Sequence, residues 1–334
     1  MNFQLYRSGL GRQSHSFNSL LMILKTRDYR HLKVSKRLLS LLDLVSNPIR
    51  HINVIKAISA KEFDPVLLKQ PQAPIKYLHR RYLALDLNTS ERAAMFCYHY
   101  RYLHTYFSQS LLREILFDDL ELWSYSDTNH THRIELKLSH VTDNEGELTA
   151  EYIFNSVMAF AISFTIINAN VFGLAAEPVL FVTRVQGTRD GFTAVRQATK
   201  SLKDISPPFA IISALQGFTT ALAVRGLIGI PVEQQVCFDK QGRDNTSLYN
   251  SFFEALGAIK LAELDRPPTR SAAVARRHGG YFYVSLPSPE KPIANIDRSH
   301  RRRTIAKRKF RNQISDIASK TAIDSTSATF HTAH

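Results

Sequence analysis

The sequence has little sulfur and little tryptophan: Cys97 and Cys237 are its only cysteines, and 334 residues hold one Trp and four Met. The two thiols lie far apart, outside any metal-ligand or redox spacing. That excludes a disulfide framework and reads as reduced, buried thiols in a cytoplasmic setting. Long apolar runs are missing too. Leu20–Leu24 is too short for a secretory core and is followed by Lys25 and Arg27. The stretch from Tyr152 to Ile167 is interrupted by Asn155 and Ser156 and stops at Asn168, short of the roughly 20 residues that a spanning helix needs. Neither a signal peptide nor a transmembrane segment is expected. No internal repeat or catalytic motif of high specificity is present. His79, His99 and His104 share an aromatic, basic region but have no carboxylate or cysteine at ligand spacing, so no metal site is read there.

Acids are in deficit, with 29 Asp and Glu against 43 Lys and Arg, for a net charge of +14 and a pI near 9.8. Such a balance favours polyanionic partners: nucleic acid, an anionic membrane surface or a phosphorylated cofactor. At 44% hydrophobic and 22% charged, the chain can build the core of one large or two modest globular domains.

Along the chain, Leu38, Leu41, Leu42 and Val45 stand at helical spacing over residues 35–45, and Asn47-Pro48 is expected to break that helix. A longer helix should start at the cap residues Asn88-Thr-Ser90 and carry Phe96, Tyr100, Leu103, Phe107, Leu111 and Ile115 to about Phe117. From Leu120 the period falls to two. Ile134, Leu136 and Leu138 alternate with Glu135 and Lys137, and Leu148, Ala150, Tyr152 and Phe154 with Thr149 and Glu151. Asp143-Asn-Glu-Gly146 supplies turn chemistry between them, so the pair reads as an antiparallel hairpin. Met158 to Ile167 and Pro178 to Val185 read as more fully buried strands.

A glycine-flanked turn, Gly187-Thr-Arg-Asp-Gly191, then leads into a short helix, Phe192 to Leu202. Ser206-Pro-Pro208 opens a buried helix carrying Ile211, Ile212, Leu215, Phe218 and Leu222, with Gly226 and Gly229 as its stop. Val232 to Phe238 reads as a strand, Leu248 to Leu256 as a helix ended by Gly257, and Tyr281 to Leu286 as a last strand. Beyond Pro287 the composition changes. No acid follows Asp297 before Asp316, and Arg301, Arg302, Arg303, Lys307, Arg308, Lys309 and Arg311 crowd one run over a thin seam of Ile305, Phe310, Ile314 and Ile317. This is read as a basic helix with a docked side. Ser325 to His334 read as disordered.

Several of these stretches, in order, resemble the bacterial VirK/YbjX family: His99-Tyr-Arg101, Glu145-Gly-Glu-Leu148, Gln186-Gly187, Thr199-Lys200, Tyr249-x-x-Phe-Phe-Glu-x-Leu-Gly257, Tyr281-Phe-Tyr-x-x-Leu-Pro287 and the Arg-rich end. The resemblance covers roughly residues 75–320; the chain departs from the pattern at Phe253, where a tryptophan is expected, and at Ala258, where a second glycine is. It implies a link to virulence, the cell envelope or the stress response, including DNA damage, without a defined reaction. The order strand, glycine turn, helix, strand, tyrosine-bearing helix, strand also looks like the core of GCN5-related N-acyltransferases. The expected Arg/Gln-x-x-Gly-x-Gly/Ala spacing is absent.

That second likeness implies an acyl-coenzyme A held by turn amides at a helix start, where one strand splays from its neighbour. Arg184, Gln186, Gly187, Thr188, Arg189 and Lys200 would be its phosphate-side residues. Acyl transfer to an amine needs a base and a proton donor for the leaving thiolate; Glu145 or Glu147 would be the base and Tyr249 the donor. Each has a structural reading as well, Glu147 as a turn cap and Tyr249 as part of an apolar face with Phe252, Phe253 and Leu256. The alternative function is binding without catalysis, the basic run lying along nucleic-acid phosphates or an anionic membrane surface. The expected architecture is α/β of the α+β kind: a mainly helical region 1–119, a core 120–290 with a mixed, largely antiparallel sheet flanked by helices, and a basic helix and tail 291–334. The expected location is cytoplasmic, or peripheral to the inner membrane.

Overall fold

The structure is a computed structural model that describes residues 44–140, 144–188, 191–237, 245–264, 277–286 and 298–327. The helix read over 35–45 lies outside these residues except for its end, where Leu44 to Ser46 are helical. Pro48 does not stop a helix; it stands in the first turn of α1 (Pro48–Ile58), where the missing N–H has no intrahelical partner to lose. After α2 (Asp64–Lys69), a complete capping box opens α3 (Thr89–Tyr106): Asn88 accepts from the Glu91 N–H, and the Glu91 carboxylate accepts from the Asn88 N–H at 2.7 Å. The stripe expected to reach Phe117 is broken at Phe107, whose backbone is extended. Ser108 then caps the short α4 (Gln109–Arg113), and a π turn over Glu114–Asp118 follows.

The sheet begins at Leu120 and has eight strands: β1 (Leu120–Ser126), β2 (Thr131–Leu138), β3 (Leu148–Phe154), β4 (Val157–Asn168), β5 (Pro178–Gly187), β6 (Gly226–Gly229), β7 (Ile259–Lys260) and β8 (Phe282–Ser285). Their order is β1-β2-β3-β4-β5-β6-β8-β7, antiparallel throughout except for the parallel β5–β6 pair. The β2–β3 pair is antiparallel as expected, with Ile134 opposite Tyr152 and Leu136 opposite Ala150, all buried. On the other face Lys137 reaches Glu151 at 2.7 Å. The nearly unbroken apolar sequence of β4 follows from its central place, with α3 on one face and α5 (Phe192–Ser201) and α6 (Pro207–Ala221) also against it.

Two expectations about glycine are corrected. α6 ends at Leu222 and Ala223, the latter at φ +56°, ahead of Gly226 and Gly229. Those glycines form β6 instead, because aromatic rings occupy the space of their side chains. A Cβ on Gly226 would lie 2.9 Å from the Tyr283 ring, and one on Gly229 2.2 Å from the Phe253 ring. Phe253 comes from α7 (Asn245–Ala255), after which Gly257 turns the chain at φ +80°.

The basic run is one long helix, α8 (Arg298–Ser327), which packs on α6 and β1 through buried Ile314, Ala318 and Ala322. It extends through Ser327, past the start of the tail read as disordered; residues 328–334 lie outside the described ones. Phe310 meets Trp123 and Tyr125 edge-on. One buried core runs from Leu44 to Ala322. Cys97 is buried and its thiol pushed up to about 11 by burial, whereas Cys237, expected to be buried, is exposed.

The α6–α8 contact gives a direct test of the fold. A Cβ at Gly217 would stand 1.8 Å from the Ser315 carbonyl oxygen, which is backbone and cannot swing aside. Gly217→Val should therefore lower stability by about 2–4 kcal/mol in urea denaturation and open α8 to proteolysis. An unchanged midpoint would mean the two helices do not touch here.

Candidate functional site

Among the described residues the β5–β6 pairing ends early. β6 pairs with β5 over four residues only, from Val179 opposite Gly226 to Val182 opposite Gly229, and a last bond joins the Ile230 N–H to the Val182 carbonyl at 3.3 Å. Pro231 then turns the chain away. The strand expected over Val232–Phe238 is a single 3-10 turn, Val232–Gln234, because the amides of Gln234 and Gln235 bond back to Pro231 and Val232. β5 continues to Gly187 on β4 alone. Its register on β4 shifts where Thr183 is the extra residue, a bulge set just past the parting point. Thr183 is buried, and its hydroxyl donates to the Glu145 carbonyl.

Around the gap stand residues from five segments. Glu145 enters because Gly146 lets the chain lie on β4; a Cβ there would be 2.7 Å from the Phe164 nitrogen. The Glu145 carboxylate is 3.6 Å from Arg184 Nε, which donates to Gln186 Oε1 at 3.1 Å. Tyr249, from α7, is 8% exposed and its Oη has no hydrogen-bond partner among the described residues. Gln235 lies beside the phenol and acts on its titration. Burial pushes the Tyr249 pKa up; Gln235 pulls it back and the Glu145 carboxylate adds to the rise, so the hydroxyl holds its proton at neutral pH. A strap from the helical region closes one side, with the Leu83 N–H on the Asn144 carbonyl at 2.7 Å and the Leu85 N–H on the Gln234 carbonyl at 3.0 Å. Leu83 sits at φ +67°, a strained conformation for a branched residue.

The glycine turn follows β5 directly. The Thr188 N–H bonds the Ala159 carbonyl at 3.2 Å, and the Gly191 N–H bonds the Thr188 carbonyl at 3.0 Å. α5 starts without a side-chain cap or an acid in its first turn, leaving its leading amides without intrahelical acceptors. Arg189 lies outside the described residues. Lys200 is exposed near the far end of α5, about 13 Å along the helix from Gly191. The structure thus brings together Glu145, Arg184, Gln186 and Tyr249, sets Gly187 and Thr188 beside them, and leaves Lys200 apart.

Glu147, the other proposed base, has a different place. It is fully buried, its Oε1 accepting from Tyr82 Oη at 2.9 Å and Lys76 Nζ at 3.2 Å, and its Oε2 from Tyr100 Oη at 2.5 Å. Burial alone would raise its pKa, but the Lys76 ammonium, His99 and the two phenols outweigh that and hold it down. His99 accepts from the Ile166 N–H at 3.2 Å, and burial drives its pKa to about 4. His104 pairs with Glu62, and His79 accepts from the Arg81 N–H, so each of the three histidines has its own local partner. A second cluster ties Tyr281 and His278 to Asp86, with Glu91 3.6 Å from the far nitrogen of His278. Sequence reading missed Lys76, Tyr82, Gln235 and this cluster. For Tyr100 a signal existed, the His99-Tyr-Arg101 motif.

On α8, Lys309 is exposed and Lys307 and Arg308 are half-buried, while nothing is described of the side chains of Arg301, Arg302 and Arg303. Arg311, expected on the free cationic face, donates to Ser213 Oγ at 3.0 Å and lies over the Phe209 ring, so it belongs to the docked face.

Removing one partner of a buried ion pair leaves the other charge uncompensated. Glu147→Gln should cost about 3–5 kcal/mol in denaturant unfolding. Because the folded pKa of Glu147 is depressed, its contribution is present above the unfolded carboxylate value of about 4.3 and is lost as pH falls through the folded value. The gap between wild type and variant should therefore narrow in acid; a loss under about 1 kcal/mol at neutral pH would show the network to be dispensable.

Comparison with known proteins fits the motifs quoted above. The family model described as "Protein of unknown function (DUF535)" matches residues 32–312. "Uncharacterized protein YbjX" from Escherichia coli (strain K12) is 26% identical over 208 residues, which cover 59% of this chain and 61% of the relative. No solved structure matches. With most of its length under that one family model, the chain belongs to the DUF535 family.

Proposed function

We propose that this chain is an acyl-coenzyme A-dependent acyltransferase-like protein whose donor thioester enters the gap between β5 and β6. One observation carries the reading: a parallel pair that parts after four residues, bulged at Thr183, with the buried and unpartnered Tyr249 hydroxyl beside the opening. The orphan phenol suits such a ligand, since a buried donor without a partner is costly unless a bound group accepts from it. The coenzyme, when bound, supplies an activated acyl group on sulfur. The residues of this chain would hold and protect it. The leading amides of α5, with Gly187 and Thr188 before them and Arg184 and Gln186 on β5, would hold its diphosphate. Tyr249 keeps a proton at Oη for the departing thiolate, and Glu145 is the carboxylate beside it. Glu147, saturated by three donors, is assigned to the frame. A role in the envelope or in a stress response stays part of this proposal.

The reading is tested by melting the protein with coenzyme A, acetyl-coenzyme A and a long-chain acyl form. Ligand at about 100 times its dissociation constant adds roughly 2.7 kcal/mol, or about 4 °C for a chain of this length. Gly187→Val should abolish the shift without unfolding the protein, since a Cβ there meets the Phe160 ring at 3.5 Å and the Ala159 carbonyl oxygen at 3.7 Å, both ordinary contacts. Tyr249→Phe should keep the shift and lower any transfer rate by about 10²- to 10⁴-fold. No shift at millimolar ligand removes the proposal.

A second reading, a non-catalytic polyanion-binding protein, is favoured by the absence of acids from Arg298 to Ser315 on one continuous helix. If the cations of that stretch neutralise about five phosphates of duplex DNA, log affinity should fall with log salt at a slope of about −4.5. Neutralising Arg301, Arg302, Arg303, Lys307 and Lys309 together should flatten the slope. Substitution is the right tool because α8 is part of the core and its deletion would unfold the chain. A slope unchanged by those substitutions ends this reading.

A further inference from the structure

The outer face of α5 has no part in the gap. Phe192, its first residue, is 78% exposed. Val157, 57% exposed at the β3–β4 turn, lies toward the same end of the sheet, because the turn before α5 is held on neighbouring Ala159. Arg196 and Lys200 follow Phe192 at four-residue steps, within an arc of about 80° on the helix surface, and both are exposed. Thr193 and Gln197 complete that exposed face, and α5 contains no acid. Lys203, just past the helix, is exposed, and its ammonium lies 5.4 Å above the Phe310 ring of α8, so exposed Lys309 carries the positive strip onto the second helix. Among the described residues no ion pair engages Arg196, Lys200 or Lys203.

A single protruding ring is ordinary on a protein surface. A ring heading a row of cations without ion pairs, with an exposed valine toward the same end of the sheet and no acid on its helix, is a different arrangement. It matches a surface that rests on an anionic bilayer, where apolar groups enter the headgroup boundary and cations stay with the phosphates. A nucleic-acid backbone would engage the cations and leave Phe192 and Val157 in water. We infer that the face of Phe192, Arg196 and Lys200, continued by Lys203, docks the protein on anionic lipid headgroups, with Phe192 entering the interface. The inference does not depend on the coenzyme reading, since it uses the outward side chains of α5 and not the amides at its start.

The test is co-sedimentation of the full chain with vesicles of phosphatidylcholine alone and of phosphatidylcholine mixed with phosphatidylglycerol, with duplex DNA binding measured in parallel. Binding is expected on the mixed vesicles only, and to weaken with salt. Arg196→Gln with Lys200→Gln should weaken it about thirtyfold, some fivefold per cation. Phe192→Ser should weaken it about tenfold or more while leaving DNA binding and the melting temperature unchanged. All three positions are exposed, so folding is not at stake. Equal vesicle binding by wild type and Phe192→Ser would overturn the inference, as would binding to DNA with none to the mixed vesicles.

Discussion

A carboxylate sealed away from water must be compensated on every side, and much of this structure is arranged to do so for Glu147. Its Lys76 partner arrives from the turn after α2, Tyr82 from the strap, and Tyr100 from α3, while its own amide is bound by the Phe164 carbonyl of β4. Desolvating two charges is expensive unless geometry and hydrogen bonds repay it. Here three donors converge on two oxygens, so the helical region can occupy only one position on the sheet. Two short motifs, His99-Tyr-Arg101 and Glu145-Gly-Glu-Leu148, lie far apart in sequence and meet at this one group.

That fixed placement positions the candidate site. The strap bearing Tyr82 continues to Leu83 and Leu85, whose amides bond the carbonyls of Asn144 and Gln234 on two walls of the gap. Glu145 stands two residues from Glu147 in the same entry to β3, and its carboxylate lies 3.6 Å from Arg184 Nε. The opening exists because β6 is short. Rings of Phe253 and Tyr283 over its glycines clamp it, and Pro231 ends it. Glycine is here a packing requirement, since any side chain would displace an aromatic ring.

α8 divides the charge of the chain into two kinds. Arg311 is spent on Ser213 and Phe209 of the docked side, while Lys309 points to solvent beside the Lys203–Phe310 contact. The net charge of +14 is therefore not a uniform coat. Part of it holds helices together through stacking and hydrogen bonds, and part is available to an anionic surface.

Much of the architecture was legible in the chain alone. Alternation set the β2–β3 hairpin and its inward face, continuous apolarity marked β4 as central, Asn88 and Ser206-Pro-Pro208 marked helix starts, and acid-free composition marked the basic helix. Each depends on neighbours within a few residues, which a linear reading can see. Local signals misled where a distant group decided: Gly226 and Gly229 read as a helix stop until rings from α7 and β8 were set over them, and Val232 to Phe238 read as a strand because nothing local shows that its pairing partner has diverged. The gap joins residues 83, 145, 184, 235 and 249, and the Glu147 network residues 76, 82, 100 and 147. The sequence by itself determined most of the helices and strands and the basic run of the last helix, where the deciding neighbours are local. Only the tertiary structure decided that Glu147 is sealed by donors while Glu145, two residues away, lies beside Arg184, because desolvation and hydrogen bonding are set by the segments that fold over a residue.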